Sequence, residues 1–225
     1  MNMTVRNIKF WGMLCLETLG LSIGASFVWL LFMGAGSSGV FTADSAGWAG
    51  ILSLYPYYLL IVGALIVLVM GISYIQAYLP VVLSMNATRK SIAGGIFGCL
   101  SGMVIGILLI SAAFWRLIPG DISASGWKLM PMFTGIFFII AAVGLLLGIA
   151  AVRWGKVGII VATIMCALAG AGVGMSVALS DKGLIEFVVS AADGDFRLLV
   201  VVGIALYLAV GAFAAKALQK LEVGA

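Results

Sequence analysis

The sequence predicts an all-α, polytopic membrane protein with six transmembrane helices, and three observations carry that prediction. Of 225 residues, 64% are hydrophobic and 9% charged, with a mean hydropathy of +1.27; soluble domains hold about 45–50% apolar and about 25% charged residues. The apolar residues fall in runs long enough to cross a hydrocarbon core about 30 Å thick, which takes about 20 helical residues. Those runs are continuous rather than alternating, so helices rather than barrel strands satisfy the backbone in lipid.

The spans follow in order as one transmembrane domain over residues 1–225. The first apolar run, 10–36, is interrupted by Glu17, so its spanning part is set at about 18–36. Arg6 and Lys9 precede it as in a signal peptide, but a signal core is only about 7–15 residues long, and this run is read as a retained helix. Residues 1–16 then make an amphipathic elbow along the membrane surface, with Val5, Ile8 and Trp11 on one face and Asn2, Arg6 and Lys9 polar. The next four spans, at about 57–79, 92–114, 130–152 and 157–179, carry no charge, and neither does the last, at about 198–215. Between the last two, residues 180–197 hold an apolar core from Leu184 to Val189, too short to span and flanked by Asp181, Asp193 and Asp195. That pattern fits a short re-entrant or interfacial helix.

Six spans place both termini on one side. Arg6, Lys9, Arg89, Lys90, Arg153, Lys156, Lys216 and Lys220 fall on that side, against Arg116, Lys128, Lys182 and Arg197 opposite. The excess of cations predicts cytoplasmic termini. Tyr55, Tyr57, Tyr58, Trp115 and Trp127 are expected as outer-boundary anchors, and Trp11, Tyr78 and Trp154 as inner ones.

Composition also removes whole classes of chemistry. There is no histidine, which excludes Ser–His proteolysis and the usual His-ligated metalloprotease site. Cys15, Cys99 and Cys166 show no CxxC spacing and read as small buried thiols. The cations are scattered, with no stripe to track phosphates, so nucleic acid is not an expected partner. No phosphate-binding loop occurs, and no connection is long enough for a catalytic domain. Catalytic residues, metal ligands and cofactors are therefore none, the chain is not expected to be an enzyme, and its energy must come from a gradient or another polypeptide.

Three features remain as functional candidates. Glu17 is the acid within a span, and a carboxylate in hydrocarbon marks ion coupling or a polar substrate contact unless it sits at the headgroup boundary. Gly94, Gly98, Gly102 and Gly106 recur every fourth residue in the third span, predicting close approach of a neighbouring helix or a dimer seam. Gly20/Gly24, Gly144/Gly148 and Gly170/Gly174 repeat the pattern more weakly. Between the second and third spans, Pro80 stops a helix, Asn86 tolerates a left-handed turn, and Thr88 or Ser91 can cap the next helix. A compact knob carrying Arg89 and Lys90 is expected there.

The segment Ser84-Met85-Asn86-Ala87-Thr88-Arg89-Lys90, followed by Gly94, resembles the corresponding loop of small ABC-2-type transporter permeases, with Asn86 where glycine is usual. In that family the loop is the coupling helix that docks on an ATP-hydrolysing subunit. The resemblance implies that Asn86, Thr88, Arg89 and Lys90 form the ATPase-coupling contact. It further implies a prokaryotic inner-membrane permease subunit working as a homo- or heterodimer with a separate ATPase. The low polarity of the spans points to a lipid-like, peptide or amphipathic substrate. Two other readings stand beside it: a substrate-capturing subunit of a vitamin-type importer, and a non-transporting immunity or scaffold protein.

Overall fold

The computed structural model describes residues 3–36, 48–84, 89–117, 121–158, 160–161, 163–164, 167 and 196–220. All of these except Ala77, Gly155 and Phe196 are helical. The bounded helices are α1 (Met3–Gly36), α2 (Trp48–Gln76), α3 (Tyr78–Ser84), α4 (Arg89–Leu117), α5 (Asp121–Trp154) and α6 (Arg197–Lys220), with further helical residues at 156–158, 160–161, 163–164 and 167. All but α3 are long and apolar enough to cross a membrane, over Lys9–Phe32, Leu54–Gln76, Ser91–Leu117, Gly126–Trp154 and Arg197–Leu218. The protein is thus a multi-pass membrane protein. Most of the fifth expected span, 157–179, and the short outer helix expected at 180–197 lie outside the described residues.

Two breaks have local causes. Proline lacks an N–H and its ring collides with the carbonyl four residues back. The carbonyl four before Pro80 belongs to Gln76, where α2 ends. Ala77 still donates to the Ser73 carbonyl at 2.8 Å, and α3 then starts afresh. Gly155 ends α5 at φ +56°, the left-handed geometry that closes a helix without a Cβ penalty.

The five long helices pack in two rows, α1–α4–α6 and α2–α5, with α4 touching every other long helix. Contacts along their length give the directions. Gly63 lies against Ile107 and Phe137, while Gly71 and Ile75 lie against Gly144 and Gly148, so α2 runs parallel to α5 and antiparallel to α4. Trp11, Cys15 and Leu19 meet Gly95, Gly102 and Gly106 in order, so α1 parallels α4. Leu199 and Gly203 meet Gly135, and Gly211 meets Phe97. Helix α6 therefore runs parallel to α5.

The charges sort accordingly. Arg6, Lys9, Arg89, Lys90, Arg153, Lys156, Lys216 and Lys220 all lie on helix ends at one extremity of the bundle, here the basic end; Arg116, Lys128 and Arg197 lie at the other.

Two expectations change. The elbow over residues 1–16 is not a separate helix: α1 continues unbroken through Glu17 and Thr18. The reason is a single buried stripe, Trp11, Leu14, Thr18, Ser22, Ser26 and Leu30, which binds both halves to the same neighbours. The aromatic anchors also divide. Trp127 and Trp154 are exposed, but Trp11, Tyr55, Tyr57 and Trp115 are buried in the bundle and serve packing.

Candidate functional site

Helix α1 presents a hydroxyl or thiol to its neighbours at almost every turn, and tyrosines answer from across the interface. Thr18 donates its hydroxyl to the Leu14 carbonyl at 2.9 Å, the back-bonding that Ser and Thr adopt inside helices. Its oxygen also lies 3.3 Å from the Tyr74 hydroxyl of α2. The Cys99 thiol of α4 donates to that same phenol oxygen at 3.2 Å, and the Cys15 thiol donates to the Cys99 carbonyl at 3.6 Å. Three helices thereby share one chain of hydrogen bonds, with Thr18 and Tyr74 at its centre, 3% and 0% exposed. In hydrocarbon each interhelical bond is worth about 0.6 kcal/mol on average and about 1.7 at most.

The same device recurs twice. Tyr55 donates to the Ile23 carbonyl at 3.1 Å and accepts from Ser26 at 3.2 Å. Tyr207 of α6 donates to the Phe97 carbonyl at 3.0 Å and meets Ser101 at 3.1 Å, its ring stacked on Phe97 at 4.4 Å. Each phenol fastens its helix to a hydroxyl and a carbonyl of the next. The indole N–H of Trp11, edge-on to Tyr74 at 5.8 Å, has no acceptor among the described residues. A buried donor left so costs about 1–3 kcal/mol, which the surrounding ring contacts must offset.

The Thr18 hydroxyl is committed to the Leu14 carbonyl and the Tyr74 phenol to Thr18 and Cys99, so the cluster ties α1, α2 and α4 together. Among the described residues no three His, Cys, Asp or Glu side chains gather where a metal ion would need them. Cys15 and Cys99 meet, which their spacing in the sequence gave no sign of. The detectable signal was Tyr74 and Tyr207: a phenol deep within an apolar run must find a partner.

The residues singled out from sequence are placed as follows. Asn86 and Thr88 lie outside the described residues. Arg89 and Lys90 are the first two residues of α4, at the basic end, and α3 ends at Ser84. Leu79 and Val82 anchor α3 in the core, leaving Pro80 and Val81 exposed. Glu17 is exposed on the outer side of α1, in one stripe with Met13, Leu16, Gly20 and Leu21; a Cβ on Gly20 or Gly24 would meet nothing within 4 Å.

The four spaced glycines of α4 part company. Gly106 sits against Leu19 and Gly102 against the Cys15 sulfur, whereas Gly94 and Gly98 have nothing within 4 Å. At 3.6 residues per turn a step of four overshoots by about 40°, so three steps rotate about 120° around the helix. One straight neighbour cannot cover such a file. Gly95, one place from Gly94, takes the position under Trp11 instead. The closest backbone approach belongs to α5. Added Cβ atoms would fall 2.9 Å from the Leu68 carbonyl oxygen at Gly144, 3.0 Å from that of Gly71 at Gly148, and 2.7 Å from that of Leu199 at Gly135.

Comparison of the chain with family models, curated proteins and solved structures finds no match.

Proposed function

We propose that this chain is the membrane-spanning permease subunit of an ATP-driven transporter, paired with a second copy or a related chain. The observation that carries the reading is α3. It is a separate helix of 7 residues, set at the basic end between two spans, and Arg89 and Lys90 open the next helix after four intervening residues. A motor protein needs a handle anchored in the bundle, which α3 has through Leu79 and Val82, with the two cations at the start of α4 beside it. On this reading the basic end is cytoplasmic, in a prokaryotic inner membrane, as an excess of cations near the spans favours.

Six crossings are part of this reading, and the parallel directions of α5 and α6 support it. The uncharged run 157–179 has the length for one. The polar groups of the described core bond mainly to one another rather than lining an aqueous route, which supports a lipid-like, peptide or amphipathic cargo.

The test is whether an ATPase encoded beside the chain co-purifies with it, followed by hydrolysis assays of the pair in vesicles. Charge reversal of Arg89 and Lys90 to Glu is expected to abolish permease-stimulated hydrolysis while the helical content and elution volume stay unchanged. Unaltered stimulation would reject the coupling role. Failure of any ATPase to bind would turn the reading toward a scaffold, and a small ligand held tightly by the isolated chain toward a substrate-capturing subunit.

A further inference from the structure

We infer that the chain holds one anionic phospholipid in the groove between α4 and α6. The groove measures about 330 Å³ and is lined by Ala93, Gly94 and Phe97 on one side and Leu208, Gly211, Ala212 and Ala215 on the other. Its floor is closed where Gly211 packs on the Phe97 ring. Gly94, Leu208 and Ala212 are exposed, so among the described residues the groove opens outward. All of the lining residues belong to membrane spans, which puts its mouth at the level of hydrocarbon rather than water.

Small side chains make the recess, and a recess in a bilayer does not stay empty. An unfilled one forfeits the dispersion contacts of every atom that lines it, and the acyl chains around it are the medium able to fill it. What distinguishes one lipid from the rest is charge. Lys216 follows Ala212 by one turn of α6 and is exposed. Lys90 precedes Gly94 by one turn of α4. Because α4 and α6 are antiparallel, with Phe97 level with Gly211, both positions lie just past the groove's basic end. An acyl chain lying in the groove therefore brings its headgroup to the turn of α6 that carries the exposed Lys216. An anionic phosphodiester with no compensating amine suits that site, and each lysine near a membrane surface favours such a lipid about fivefold. This site is independent of the ATPase reading: it needs neither a motor nor transport.

The test uses the full chain reconstituted in vesicles of equal phosphatidylglycerol and phosphatidylcholine, extracted in mild detergent and weighed by native mass spectrometry. Wild type is expected to retain one phosphatidylglycerol. Gly94→Leu, whose side chain enters open space, should lower that occupancy at least about fivefold, as should Ala212→Leu from the opposite wall. Lys216→Gln should cut the preference for phosphatidylglycerol over phosphatidylcholine about fivefold, and Gly20→Leu, on the far side of the bundle, should change nothing. Three results overturn the inference: no lipid on wild type, full retention by both leucine variants, or a wild-type dimer that Gly94→Leu converts to monomer. The last would assign the groove to a second copy of the chain.

Discussion

Gly95 lies so close beneath the Trp11 indole that a Cβ there would collide with the ring, while its neighbour Gly94 faces open space. The two residues share a helix, a depth and a chemistry, and differ by one step of about 100° around the axis. Gly95 belongs to the covered side of α4, with Cys99, Gly102 and Gly106 against α1. Gly94 belongs with Gly98 to the uncovered side, beside the groove. The contrast teaches that a glycine in a membrane helix signals close approach only once a neighbour is known to lie on its side. On the uncovered side the same absence of a side chain makes a recess for something else.

The contrast can be broken in graded ways. The most damaging change lies where backbone meets backbone: Gly144→Ile drives atoms into the Leu68 carbonyl, which cannot move aside. Overpacking of this kind costs about 3 kcal/mol or more, so the variant should fail to elute as a single species in detergent. Next is Gly95→Ala, expected to cost about 2 kcal/mol in a denaturant titration followed by circular dichroism. Because the obstacle is a side chain, Trp11→Leu in the same chain should recover most of that loss. If it does not, the covered side of α4 is held by something other than this contact.

A smaller effect is expected from Tyr74→Phe, which removes the hydroxyl shared by Thr18 and Cys99. The loss should be about 1 kcal/mol, near the middle of the range for interhelical bonds in lipid. Double-mutant cycles with Thr18→Val then measure the coupling between α1 and α2 directly. Gly94→Ala should be nearly silent, within about 0.5 kcal/mol of wild type in the same titration. A destabilisation by Gly94→Ala equal to that of Gly95→Ala would erase the distinction between the two sides.

Much of the fold was legible in advance because hydrocarbon imposes simple rules. Length and apolarity locate the spans, and Pro80 marks a break after the second, although the span read as 57–79 ends at Gln76, where the proline's ring meets the carbonyl. The partition of cations assigned each described helix end to one extremity, and the structure groups them the same way. The start of the first span was misjudged by the presence of Glu17. A charge suggests an exit from lipid, but one on the outer side of α1 leaves the buried stripe from Trp11 to Leu30 intact, and the helix runs on.

The buried cluster was not legible in the same way. Thr18, Tyr74 and Cys99 are separated by dozens of residues, and nothing in their own neighbourhoods announces a meeting. The weak Gly144/Gly148 pair packs on its neighbour's backbone, whereas Gly102 and Gly106 of the longer file in α4 meet only side chains, because the pair lies on the line along which α2 and α5 run parallel. Sequence by itself determined that the chain is a set of apolar helices with a basic end, since transfer to lipid depends on local composition and length. Tertiary structure alone decided which glycines are covered, which phenols find hydroxyls and where a groove stays open. Those outcomes depend on the rotation of each helix about its axis, and that is settled by packing against neighbours distant in the chain.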